Sequence, residues 1–444
     1  MIRKISWVAL AFAVLFATAA FANGQKESGA SSSGAAKSAG PATINIAGGA
    51  VGNELKALQD EANAWAAKTG NKVVVVNTPN SSSDRLALFQ QQLAAGSSST
   101  DVYQIDVVWP GLLGDYFVDL NKYIPKSDTS QFFPRIIENN TFKGNLVAIP
   151  WFTDAGLLFY RSDLLKKYGY SAPPKTWAEL TTMAQKIQAG ERQAGNADFW
   201  GYVWQGNAYE GLTCDALEWV KSNGGGTIID GNGNITIDNP QAVDAIKLAA
   251  SWVGTISPKG VTGYMEEDSR GVWQAGNAAF MRNWPYAYQL GEGKDSPIKG
   301  KFDVAALPKG SGPNASGADT LGGWNLAVSR FSKNPKEAAS LVQYLTSYDV
   351  ELERAMPPYS FLPTRPAVYK DSKLASSANS FIVKLLPVFE NAVARPATIA
   401  KSKYNQVSSA FWTSVHNVLT GQQQAAPALK ALKSQLESIK GSAW

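Results

Sequence analysis

Between Thr43 and Trp109, apolar runs of strand length alternate with amphipathic stretches of helical period, and this alternation narrows the choice of fold more than any other feature. Thr43 to Ala47 is a short apolar run. Asn53 to Thr69 places Leu55, Leu58, Ala62 and Trp65 on one face at helical spacing, with Gly70 as its stop. "KVVVVN", Lys72 to Asn77, is a continuous β-branched run, which predicts a strand covered on both faces. Asp84 to Ala95 reads as the next helix, with the serines before it as caps. "DVYQIDVVW", Asp101 to Trp109, is a third strand. The β-α-β-α-β order argues for a parallel sheet and an α/β fold.

The pattern continues less regularly. Thr176 and Glu179 in "KTWAEL" predict a capping box at the start of a long helix. "FWGYVWQ" reads as a strand, and "YEGLTCDALEWVKSNGG" as a helix ending at Gly224. "TIIDGNGNITID" has the apolar arms and Asn-Gly chemistry of a hairpin. "NPQAVDAIKLAASWVG" is a helix with Pro240 in its first turn. "FDVAALP", "LGGWNLAVS" and the run Ala278 to Met281 are strands, and from Asn334 onward the pattern is mostly helical. Strands thus dominate the first third and return in the middle, which suits two α/β lobes between which the chain crosses more than once.

Length agrees. A chain of 444 residues exceeds one simple core at roughly 150 residues per domain. The first 22 residues read as a secretory signal: Arg3 and Lys4, an apolar run from Ile5 to Phe21, and the small residues of Ala20-Phe21-Ala22 for cleavage after Ala22. Residues 23–42 are rich in Gly, Ser and Ala and form an expected flexible tether. An exported, soluble, periplasmic or cell-surface protein is the expectation.

Composition removes several functions. The net charge of +5 is small for this length and forms no basic block, so nucleic acid is not an expected partner. Cys214 is the single cysteine, which precludes an intramolecular disulfide, and it reads as a small buried hydrophobe. His416 is the single histidine, which removes His-based zinc sites. "GEGKDS" lacks the first glycine of a P-loop, and "DGNGNITIDNPQ" has Ile235 and Gln241 where a calcium loop needs Gly and Glu. No GxSxG occurs. Neither a cofactor nor a metal is expected.

What remains is a recurrent pairing of carboxylates with aromatic rings at strand ends. Asp106 precedes Trp109; Trp151 and Phe152 precede Asp154; Trp284 and Tyr286 follow a strand; Trp324 stands behind Gly322 and Gly323. A sugar has apolar C–H faces that flat rings cover and a hydroxyl rim that carboxylates and arginines bond, each charge-assisted bond being worth roughly 1.5–3 kcal/mol. Strand ends of open α/β sheets are where ligands bind. Trp65, Trp177, Trp219 and Trp252 fall on helix faces and are assigned to packing.

These residues resemble the extracellular solute-binding proteins of bacterial and archaeal ABC sugar importers, and more narrowly the trehalose- and maltose-binding members. The likeness is densest in "IDVVW", "TDAGLLFYRSDLLKKYGYSAPPKTWAEL", "FWGYVWQGNAYEGL", "GNAAFMRNWPYA", "TLGGWN" and "FENAVARP". It implies a two-lobed clamshell, with 43–150 plus 308–357 as one lobe and 151–307 plus 358–444 as the other. Hinge crossings would fall near Ile149 to Asp154, Leu307-Pro308 and Pro357. It also implies that Glu54, Arg85, Asp106, Asp154 and Arg395 bond hydroxyls, that Trp109, Trp284, Tyr286 and Trp324 pack on the rings, and that Gly323 presents backbone. Phe152 stands where the compared relative has Tyr, which removes one hydroxyl contact. The implied function is capture of a disaccharide by a monomer, without catalysis, for delivery to membrane permease subunits. An exported glycosidase and a binder of quaternary ammonium ligands remain as alternatives.

Overall fold

The computed structural model describes residues 40–442 and residue 444, so the expected signal and all but the end of the tether lie outside the described residues. Two main sheets organise the rest. The first has the order β2-β1-β3-β11-β6, from β1 (Thr43–Ala47), β2 (Lys72–Val76), β3 (Val102–Asp106), β6 (Ile149–Ala155) and β11 (Leu321–Val328). β1 pairs parallel with β2 and β3, whereas β11 runs antiparallel to β3 and β6. The second sheet has the order β10-β7-β9-β8, from β7 (Leu157–Tyr160), β8 (Trp200–Val203), β9 (Ala278–Asn283) and β10 (Asp303–Ala305). β4 (Thr141–Phe142) and β5 (Asn145–Leu146) form a separate small pair.

The chain leaves the first sheet at Ala155 and enters the second at Leu157, later than the expected boundary at residue 150, because β6 keeps its pairing with β11 through Ala155↔Leu321. Gly156 makes this crossing. A Cβ there would stand 2.1 Å from Glu218 Oε1 and 2.5 Å from Arg282 Nη2, so the crossing tolerates no side chain. The return runs from β10 to β11.

The β2 valines depart from expectation. Instead of being covered on both faces, β2 is the sheet edge, with Val74 47% and Val76 41% exposed. Val73 and Val75, on the alternate face, pack against the core. A β-branched run fits both an edge strand and a buried one, and neighbours alone decide. "TIIDGNGNITID" also forms no strand ladder. A single bridge, Ile229↔Ile235, closes it, and the Asp230 carboxylate accepts from Asn232 N (2.9 Å) and Asn234 N (2.8 Å).

Helix termini follow local chemistry. Ser81 accepts from Asp84 N to start the helix Ser82–Ala94. Thr176 and Glu179 close the full capping box of Trp177–Gln193. Trp177 and Trp219 both pack on Trp252, with ring centroids 5.6 and 5.9 Å from it, and Trp65 is buried in the other core. Among the described residues no helix is long and apolar enough to cross a membrane.

Candidate ligand-binding cleft

The aromatic corner after β9 is built by its sequence. Asn283 ends the strand and its side chain accepts from Trp284 N (2.8 Å), Pro285 fixes the next φ, and the helix Ala287–Gly291 begins directly after Tyr286. On the first sheet, β3 ends at Asp106, and the β6–β11 pairing sets Asp154 opposite Gly322 and Phe152 opposite Trp324. A Cβ on Gly322 would stand 2.9 Å from Trp284 Cζ3 and 3.1 Å from Asp154 Cβ. That glycine lets ring and carboxylate close on the strand. Gly323 has φ +117, a conformation that side chains disfavour, and its carbonyl accepts from Val107 N.

These segments line one common cleft. Glu54, Arg85, Asp106, Phe152, Asp154, Trp284, Tyr286, Gly323, Trp324 and Arg395 all line it. Trp109 does not. It is 1% exposed and packs edge-on behind Trp324, with centroids 5.6 Å apart, so it supports the wall without forming it. The turn at Val107-Val108 directs it inward, which spacing from Asp106 does not reveal. Glu210, Glu266, Cys214 and Phe361 line the cleft as well, and the sequence reading missed them in that role. Glu210 and Glu266 begin helices, where an acid usually reads as a solvated dipole partner.

The polar groups divide into paired and unpaired. Arg395 joins Asp106 (2.7 Å), at the end of β3, to Glu210 (2.8 Å), on the helix Glu210–Ser222. Ser408 and Tyr404 also donate to Glu210. Arg282, beneath the Trp284 ring at 3.9 Å, is held by Asp215 (3.0 Å) and Glu218 (2.6 Å). Arg85 lies 4.1 Å over the Trp324 ring. Its Nε and Nη1, Arg395 Nε and Asp154 Oδ1 are buried without a hydrogen-bond partner among the described residues. Such orphans are expensive unless a ligand satisfies them.

Burial pushes the Asp154 carboxyl well above the usual carboxylate range, and the nearby charges of Glu54 and Asp106 add to this against the pull of Arg282. Burial likewise raises Glu54 against the pull of Arg85, and Glu210 against that of Arg395. Burial pushes Arg85 down while Glu54, Asp106 and Glu266 oppose it. Cys214, in the cleft wall, is buried, and burial pushes its thiol up. His416 Nε2 sits 3.0 Å from the Thr262 carbonyl, an ordinary structural contact. Among the described residues no group of three His, Cys, Asp or Glu side chains is placed to hold a metal ion.

Residues 49–351 match the model of the bacterial extracellular solute-binding protein family, and the chain belongs to that family. It is 56% identical over 410 residues to a probable ABC transporter-binding protein of Deinococcus radiodurans, covering 92% of this chain and 96% of the relative. Among solved structures it is similar to maltose-bound MalE3 of T. maritima, with 42% identity and a TM-score of 0.84 over 90% of this chain and 100% of that one. It is also similar to a solute-binding protein of Thermotoga lettingae bound with α-D-tagatose, with 27% identity and a TM-score of 0.79, over the same shares of the two chains. The two-lobed α/β architecture is shared with these structures, and the chain is a solute-binding component of an ABC transporter.

Proposed function

We propose that the cleft captures a neutral disaccharide such as maltose or trehalose and presents it, unaltered, to a membrane permease. The observation that carries this reading is the set of orphaned buried donors and acceptors on Arg85, Arg395 and Asp154 beside the rings of Trp284, Tyr286 and Trp324. A hydroxyl both donates and accepts, so a polyol rim can satisfy guanidinium and carboxylate orphans together. The crossing segments act as the hinge, and ligand touching both lobes favours the shut form. Export by the N-terminal signal and function as a monomer belong to the same proposal.

The test is isothermal titration calorimetry with maltose and trehalose. Saturable one-to-one binding is expected, and Asp154→Ala should weaken it about tenfold or more, roughly the 1.4 kcal/mol or more of a lost charge-assisted bond. Unchanged affinity in that variant would remove the site assignment. Release of glucose from either disaccharide would replace capture with hydrolysis.

A further inference from the structure

Within the same cleft the charges do not balance. Asp106 and Glu210 share Arg395. Glu54, Asp154 and Glu266 also line the cleft, and none forms an ion pair with a described residue. Glu54 accepts from Ala50 N (3.1 Å) and, at 3.5 Å, from Gln104, neither of them a cation. Glu266 accepts from Tyr209 Oη (2.8 Å) and Trp284 Nε1 (3.4 Å). Asp154, 94% buried by its 6% exposure, has Oδ1 with no hydrogen-bond partner among the described residues. Against these three acids the cleft holds, among the described residues, one guanidinium outside an ion pair, Arg85, which is spread over Trp324. A neutral sugar satisfies hydrogen bonds but brings no charge. A ligand ammonium does both, and aromatic walls attract it further.

We propose that this cleft prefers basic saccharides, disaccharides carrying a protonated amine, to neutral ones, with the ammonium seated against Asp154 and Glu54. The same imbalance rejects acidic sugars, because a carboxylate or phosphate would meet uncompensated carboxylates in a poorly hydrated space. Burial and neighbouring acids already hold the Asp154 carboxyl high, and an ammonium beside it supplies the missing countercharge. The proposal rests on the saccharide reading and narrows it.

The test is titration calorimetry of the purified protein at pH 7 with trehalose, its 2-, 4- and 6-amino derivatives, trehalose 6-phosphate and a glucuronate-containing disaccharide. At least one amine isomer should bind about tenfold tighter than trehalose, and both acids about tenfold weaker. Asp154→Asn should bring the amine-to-neutral ratio close to one; Glu54→Gln, made separately, should reduce it. Trehalose binding with no amine isomer tighter overturns the inference and leaves the saccharide reading standing. Binding of none of the sugars overturns both. An amine preference unchanged in both variants also overturns the proposal, since the ammonium then sits elsewhere.

Discussion

Arg395→Met isolates one electrostatic joint of the protein. Arg395 is 5% exposed and bonds Asp106 at 2.7 Å and Glu210 at 2.8 Å. Its removal leaves two buried carboxylates without their cation. Asp106 ends β3 at the cleft and can gain water if the lobes part, whereas Glu210 stays enclosed with only the hydroxyls of Tyr404 and Ser408. Breaking a buried pair costs about 3–5 kcal/mol, and those hydroxyls place this case near the lower end. With an unfolding entropy of about 2.1 cal/mol/K per residue, a chain of this length shifts by roughly 1 °C per kcal/mol, so the Tm of the ligand-free protein should fall by at least about 3 °C in scanning calorimetry at pH 7. The pH dependence supplies a second reading. Burial already raises Glu210 above its ordinary 4.5, and loss of Arg395 raises it further. A folded carboxyl titrating above its unfolded value destabilises fully above the folded pKa, and that penalty vanishes as pH falls toward the unfolded one. The deficit of Arg395→Met relative to wild type should therefore shrink on acidification from pH 7 toward 4.5. Adding Glu210→Gln should restore part of the loss at pH 7. A Tm change under about 2 °C, or a deficit that grows on acidification, would refute this account.

Three further predictions probe other links. Gly322→Ala should weaken sugar binding several-fold by displacing Trp284 and Asp154, while Tm moves little because the Trp ring edge can yield; calorimetry of both quantities checks this. Trp284→Ala should weaken sugar binding by about 0.5–1.5 kcal/mol in excess of lost area, read by titration, with an additional fall in Tm as Arg282 loses its ring contact. Thr176→Ala removes one side of the capping box and should cost about 1 kcal/mol of stability in denaturant unfolding, with sugar affinity unchanged.

Features encoded in neighbouring residues were legible before any coordinates. The capping box at Thr176 and the Ser81 cap depend only on local chemistry, and each stands where the chain pattern puts it, whereas the third strand stops at Asp106, three residues short of the expected end at Trp109. The convergence of Glu54, Asp106, Asp154, Trp284, Trp324 and Arg395 on one cleft followed from a family likeness, since these residues are far apart in sequence. What local pattern could not reach was tertiary. The exposure of Val74 and Val76 depends on β2 being an edge. Trp109 turns behind Trp324 because the backbone bends after Asp106. Glu210 reads as a solvated helix-start acid until Tyr404, Ser408 and Arg395 close over it from the far end of the chain. The conflict between its burial and its charge is visible only once the helix Tyr404–Leu419 is packed.

Lobe closure on a sugar is the most direct measure of the central claim. Small-angle X-ray scattering of the protein with and without saturating maltose or trehalose, followed by recovery of the sugar, reads capture and chemistry together. Contraction of the radius of gyration on addition, with the disaccharide recovered whole, is the predicted result. An unchanged radius with no bound sugar, or recovery of free glucose, would contradict it.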